Sequence, residues 1–201
     1  MPGGRPRSFD PDAALAAALR VFWERGFREA STEDLAAAAG VTKPSLYAAF
    51  GDKHGQFAAA VGLYRDRHFA PLLARLDDPP GERRTGREAV RAFLRGAAED
   101  FTDPDRPPGC LLCAHAAGAG GTDERALAAA LAGHEALVAA LRDRLARAKS
   151  DGDLPAAAPV APLADLYAAA LHGLSASARV GRSRRALFAV ADAAVGAWPG
   201  G

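Results

Sequence analysis

The sequence predicts an all-α protein of about nine helices, with a small N-terminal unit over residues 1–52 and a larger helical unit over residues 53–201. Three observations predict it. Apolar residues recur at spacings of three and four along nearly the whole chain. The stripes are separated by Gly, Pro and helix-capping residues. No segment alternates with the period of two that a half-buried strand needs. A hydrophobic content of 49% supplies ample material for a core.

Residues 1–9 hold two glycines, two prolines and two arginines and read as a flexible arm. Asp10 caps the first helix with Pro11 at its opening position, and Leu15, Ala18, Leu19 and Phe22 fall at i, i+3, i+4, i+7. This helix ends near Arg25-Gly26. Ser31 with Asp34 three positions on has the spacing of a capping box, and Leu35 and Ala38 give a short second helix its apolar stripe. Gly40 ends that helix in the left-handed region glycine tolerates, and Val41 packs into the angle that follows. Thr42 caps a third helix opened by Lys43 and Pro44. Its Leu46 and Phe50 face inward at i, i+4, which leaves Lys43, Ser45, Tyr47 and Ala48 outside. Two short helices joined by a glycine turn form a helix-turn-helix and point to DNA.

These residues also carry a family resemblance. The arm Gly4-Arg5-Pro6-Arg7, then ALRVFWERGF, STEDLAAAAGV, TKPSLYAAFGDK and QFAAAVGLYRD, occur in the order seen in the TetR family of transcriptional regulators, and this third of the chain resembles that family. The resemblance implies an all-helical homodimer whose C-terminal unit binds a small effector and dimerises. It implies operator contacts from Thr32, Thr42, Lys43, Pro44, Ser45 and Tyr47, with Lys53 on a phosphate. Arg5 and Arg7 of the arm are placed in the adjacent minor groove. Ala48 and Ala49 depart from the family pattern, in which aromatic or polar residues are common here, so fewer side chains reach the bases.

The remaining elements follow the same periodicity. A long helix runs from Lys53 to the Pro71 region with Phe57, Val61, Tyr64 and His68 inward, and residues 77–86 form a loop. Residues 87–102 carry Val90, Phe93, Leu94, Ala97 and Phe101 on one face. Three prolines mark a loop at 103–109, and a short apolar helix spans 110–117. Thr122 caps the longest helix, to about Lys149, with the stripe Leu127, Leu131, His134, Val138, Leu141 and Leu145. After a proline-containing connection at 150–162 come two final helices, 163–181 and 184–198. Their stripes are Leu163, Leu166, Ala170, Leu174 and Leu187, Ala191, Ala194, Trp198. Small residues such as Ala168, Ala169, Ala178, Ala193 and Ala197 suit these two helices to close approach in an intersubunit four-helix bundle.

Composition bounds the function. No apolar run approaches the ~20 residues that span a bilayer, and no secretory signal precedes the first helix, so the expectation is a soluble cytoplasmic protein without a membrane partner. Two cysteines in 201 residues make no disulfide framework. The net charge of +1 is low for a DNA-binding protein, so the basic residues must be concentrated where phosphates lie. No nucleophile–base pair, phosphate-binding glycine loop or metal spacing is present, which predicts neither an enzyme nor a cofactor. Candidate effector-contacting residues are Tyr64, His68, Phe93, Phe101, His115, His134 and Tyr167. Cys110-Leu-Leu-Cys113 reads first as a pair of buried thiols and second as the trigger of a thiol-responsive regulator. The run Arg179, Arg182, Arg184 and Arg185 reads as a solvated corner between the last two helices.

Overall fold

The computed structural model of the chain describes residues 9–118 and 124–200. Among these residues there are nine helices and no strand. They are α1 (Pro11–Glu29), α2 (Thr32–Ala39), α3 (Lys43–Phe50), a fourth rod α4 over 53–76, α5 (Gly86–Phe101), α6 (Leu111–Gly118), α7 (Glu124–Ser150), α8 (Val160–Arg179) and α9 (Arg184–Gly196). The rod is continuous but not uniform. It is α-helical over Lys53–Tyr64, a π turn over Arg65–Phe69, α again over Ala70–Leu73 and a 3₁₀ turn over Ala74–Leu76.

The first three helices are defined by their caps. Asp10 accepts from the Asp12 amide, and Thr42 from the Ser45 amide. Ser31 and Asp34 form a reciprocal capping box with both backbone donors satisfied. Gly40 is left-handed at φ 65°, and the Val41 amide returns to the Ala36 carbonyl, closing α2 with a Schellman-type bond. The small core behind these helices is aromatic. Phe22 is fully buried and packs edge-on against Phe57 at 5.1 Å, which itself meets Phe27 at 5.1 Å. Leu35 and Leu46, one from each arm of the helix-turn-helix, are also fully buried.

The π turn changes which residues face the core. Buried positions on the rod are Gln56, Phe57, Ala60, Val61 and Tyr64, and then Phe69, Leu72 and Leu76. An unbroken α-helix would have continued the stripe through His68, as the sequence spacing predicts. The wider turn behaves as one inserted residue and moves the inward position to Phe69. His68 is left half-buried at the edge.

The body packs α5 against α9 and α8, and α7 against α8, around a core that includes Phe93, Leu94, Leu141 and Leu171. Several boundaries differ from the periodicity. Helix α8 begins at Val160, ahead of the expected start, because Pro162 sits in its first turn, where amides have no intrahelical acceptor to lose. Helix α9 stops at Gly196, and Trp198 lies beyond it, buried, with its indole N–H donating to the Asp153 carbonyl at 3.1 Å. Leu131 and Leu166, expected in the core, are 49% and 44% exposed. On α7 the buried face keeps Val138, Leu141 and Leu145 of the expected stripe and adds Leu137, Arg144 and Ala148, and on α8 it is Leu163, Tyr167, Leu171 and Leu174. Both helices are apolar on more than one side, so a stripe alone does not tell which side turns inward. The Thr122 cap expected for α7 lies outside the described residues.

Candidate nucleic-acid interface

Helix α3 is held at both ends. Thr42 accepts from the Ser45 amide at 3.3 Å and shares a hydrogen bond with the Ser45 hydroxyl at 2.9 Å. Gly51 closes the helix through its amide to the Tyr47 carbonyl. The buried Gln56 side chain then donates to the Gly51 carbonyl at 3.0 Å, and Asp52 caps the rod through the Gly55 amide at 2.8 Å. With Leu46 anchored in the core, Pro44, Tyr47 and Ala48 face solvent, Tyr47 at 44% exposure. An exposed tyrosine and proline on a rigid two-turn helix make a surface that can enter a groove.

The basic residues are already engaged. Lys43 pairs with Glu33 of α2. Tyr47 and Thr32 share a long hydrogen bond at 3.5 Å, which places Thr32 beside the same face. Lys53 donates to the Arg28 carbonyl at 3.3 Å and lies 4.6 Å over the Phe27 ring. Arg25 pairs with Asp34 at 2.9 Å. Hydrogen bonds from Ser31, with Arg25 close by, hold the Asp34 carboxyl below its ordinary range. Arg5 and Arg7 lie outside the described residues.

Behind this face is a seam joining the helix-turn-helix unit to the body. Helix α1 breaks at Gly26, whose φ is 82°, and a break there leaves the carbonyls of the preceding turn short of intrahelical donors. Arg179, at the end of α8, reaches across to supply them. Its Nη1 donates to the Trp23 carbonyl at 3.2 Å and to Pro108 at 3.5 Å, and its Nη2 to Glu24 at 3.4 Å. Trp23 returns an indole N–H to the Gly109 carbonyl at 3.1 Å, and Arg20 donates to the Asp105 carbonyl at 2.7 Å. Gly109 is required here, since a Cβ would lie 2.8 Å from both the Arg179 Cγ and the Ser175 carbonyl. The solvated corner expected at Arg179 is therefore corrected: this arginine is an interdomain tie. Arg184 is also engaged, donating to the Thr102 hydroxyl at 2.9 Å.

The candidate effector residues do not converge on one cavity. Tyr64 and His68 lie together at 5.4 Å, both edge-on to Trp23 at 4.7 and 5.1 Å. Burial and the neighbouring Arg106 push the His68 pKa down. Phe93 and Phe101 are core residues. Tyr167 is fully buried beside Trp198, its hydroxyl without a hydrogen-bond partner. His134 faces His172 at 5.2 Å beside a small cleft of about 10 Å³ that also touches Cys113. The His115 side chain lies outside the described residues. No group of three metal-ligating side chains occurs among the described residues.

Comparison with known proteins decides the family. Residues 14–60 match the description "Bacterial regulatory proteins, tetR family", and residues 87–193 match "Transcriptional regulator LmrA/YxaF-like, C-terminal domain". The chain belongs to the TetR family of transcriptional regulators. It is 32% identical over 197 residues to the HTH-type transcriptional repressor ComR of Escherichia coli K12, covering 98% of this chain and 92% of that protein. The repressor BdcR of the same organism is 32% identical over 190 residues, 94% of this chain and 88% of BdcR. Among solved structures, a cysteine mutant of the TetR family regulator CifR, complexed with a 26-base-pair double-strand operator, superposes with a TM-score of 0.89. It is 39% identical and covers 98% of this chain and 100% of CifR. As a TetR-family protein the chain is a regulator and not an enzyme. No described helix is long and apolar enough to cross a membrane.

Two residues that matter to this TetR-type architecture escape sequence reasoning. Glu33, the partner of Lys43, sits ten positions away on another helix. Arg179 is 156 positions from Trp23. The signal for Arg179 was indirect, a glycine near the end of an otherwise regular helix, which calls for a donor from elsewhere.

Proposed function

We propose that the chain is a cytoplasmic, homodimeric repressor that binds a palindromic operator through the exposed face of α3 and is released by a small effector. The observation that carries it is the capped, core-anchored α3 presenting Pro44, Tyr47 and Ala48 to solvent, with Thr32, Thr42, Lys43, Ser45 and Lys53 around that face. Dimerisation is supported by an outward apolar and small-residue stripe on α8, Leu166, Ala169, Gly173, Ala176 and Val180, continued on α9 by Val190 and Ala193. Two such heads one helical turn of DNA apart, about 34 to 36 Å, would read two half-sites. The effector then favours a conformer with a different head spacing, by no more than its differential affinity for the two states.

The test is fluorescence anisotropy with DNA flanking the chain's own gene, at two salt concentrations, using wild type, Lys43→Ala and Tyr47→Ala. Tight wild-type binding that both substitutions weaken supports the proposal. Wild-type binding that neither substitution alters counts against α3 as the reading helix.

A second trigger is favoured by one cluster. Cys110 is buried and accepts from the Tyr64 hydroxyl at 3.1 Å and the Cys113 amide at 3.5 Å. Burial alone would raise its pKa, but hydrogen bonds from Cys113 and Tyr64 outweigh it and pull the thiol down, while Cys113 is pushed up. In this scheme a peroxide takes two electrons and two protons from the thiols, giving a disulfide and two waters, and Tyr64 passes the strain to Trp23. Unchanged operator binding after peroxide treatment, or an unchanged response in Cys113→Ser, removes this scheme.

A further inference from the structure

Two histidines meet where α7 packs on α8. His134 and His172 are far apart in the chain, yet their ring centres lie 5.2 Å apart with the planes inclined at 48°. His134 is exposed and His172 half-buried. Neither ring makes a hydrogen bond or an ion pair with another described residue, so their nitrogen lone pairs are not committed to the protein.

The setting of the pair is rigid. Gly133 lets α6 close on α7 beside His134, since a Cβ there would fall 2.7 Å from the Leu112 Cδ1. Leu137 and Leu171, both buried, hold the two helices on the core side of the pair. The cleft of about 10 Å³ lies here, walled also by Phe69 and Leu112. Space of this size takes about one water-sized particle and excludes an organic effector. Besides the two imidazoles, Cys113 is the one metal-ligating side chain on its described lining, and it does not complete a set of three ligands. On the outer side of His134, a groove carries Glu135, Asp143 and Asp165 against Arg142, which pairs loosely with Asp165 at 3.7 Å. That excess of carboxylates draws cations toward the pair.

The spacing of the rings points to an ion class. Imidazole nitrogen binds Zn²⁺ at about 2.0–2.1 Å and a ring centre lies about 1.1 Å behind its nitrogen, so two imidazoles at a tetrahedral angle set their centres about 5 Å apart. Linear coordination would need about 6.3 Å by the same geometry. Hard cations such as Mg²⁺ take oxygen ligands in preference to imidazole.

We propose that His134 and His172 form a two-imidazole site for a borderline divalent cation of the Zn²⁺ class, with water in the remaining positions. The bound ion ties α7 to α8 and stabilises the folded chain. The site is separate from α3, and its occupancy is measured without operator DNA.

The test uses the full chain, titrated calorimetrically with ZnCl₂ and separately with MgCl₂. Saturable Zn²⁺ binding is expected, with Mg²⁺ binding at least about tenfold weaker. His134→Gln and His172→Gln are each expected to weaken Zn²⁺ binding about tenfold or more, since a single imidazole holds the ion poorly against water. His134→Gln changes an exposed side chain and leaves the core alone, and a circular-dichroism melt checks that both variants fold. Thiols also attract Zn²⁺, so Cys113→Ser is titrated alongside and is expected to keep the binding that His134→Gln weakens. Histidine-ring NMR on the wild type reads the site directly, with the His134 and His172 resonances moving together as Zn²⁺ is added. Zn²⁺ binding as tight in His134→Gln as in the wild type, its loss in Cys113→Ser, Mg²⁺ binding of equal strength, or ring resonances indifferent to Zn²⁺ would each overturn the proposal.

Discussion

Replacing Arg179 by Met keeps the aliphatic contact at Gly109 and removes the three donated bonds of the seam. Their geometry sets the size of the effect. The bond to Trp23 at 3.2 Å is within the ordinary range, while those to Glu24 and Pro108, at 3.4 and 3.5 Å, are stretched. Arg179 is itself exposed, so water replaces part of what is lost. A charged donor at one good bond, discounted for exposure, contributes about 1 kcal/mol, and the two stretched bonds together about half of that. The sum, about 1.5 kcal/mol, corresponds to roughly a tenfold rise in local opening at the end of α1. Native-state hydrogen exchange reads this directly, with faster exchange expected in the segment 25–30 and little change in the cores of α7 and α8. Trp23→Phe, which deletes a buried indole donor to Gly109, serves as the positive control. If that control accelerates exchange and Arg179→Met does not, the arginine is a spectator and the account of the seam is wrong.

Four further outcomes are expected. Glu33→Gln releases Lys43 and should tighten DNA binding at low salt, steepening the salt dependence by about one counterion, measurable by anisotropy across a salt series. Gly55→Ala should destabilise the chain by about 1–3 kcal/mol, because its Cβ would fall 2.3 Å from the Phe50 carbonyl oxygen. Gly62→Ala, two turns further along the rod and with open space, should stabilise it by up to about 1 kcal/mol in urea unfolding. His68 and His172 are both depressed by burial, so their contribution to stability is present above the unfolded value of 6.5 and is lost as pH falls below it. Thermal melts from pH 7.5 down to 5 should therefore show a decline that His68→Leu makes shallower, and a slope unchanged by that substitution would refute it.

Much of the fold was legible because it is written in local rules. The Ser31–Asp34 box, Gly40 and Thr42 each act within four residues, so spacing alone located α2 and α3. The same spacing misjudged His68, since a π turn leaves no periodic signature and shifts the inward side by one residue. Leu131 and Leu166 read as core from spacing and yet lie exposed, because hydrophobicity reports an apolar side and not which neighbour covers it. At the candidate interface, the outward positions of Pro44 and Tyr47 follow from the helical period. The partners of Lys43 and Lys53 do not, because both come from other helices. Arg144 was passed over for the opposite reason: an arginine is assumed to lie at the surface until packing shows it inside.

The seam at Trp23 also dictates an order of assembly. The first seventy or so residues can gather their own aromatic core as soon as they are made, since Phe22, Phe57 and Tyr64 are close in the chain. Their attachment to the rest must wait. Gly109 meets Trp23 across 86 positions and Arg179 across 156, so the last ties are made only when the penultimate helix has been synthesised and packed. A chain truncated before α8 would therefore keep the Trp23–Gly109 bond but lack the three bonds of Arg179, leaving its first three helices less firmly fastened to the body.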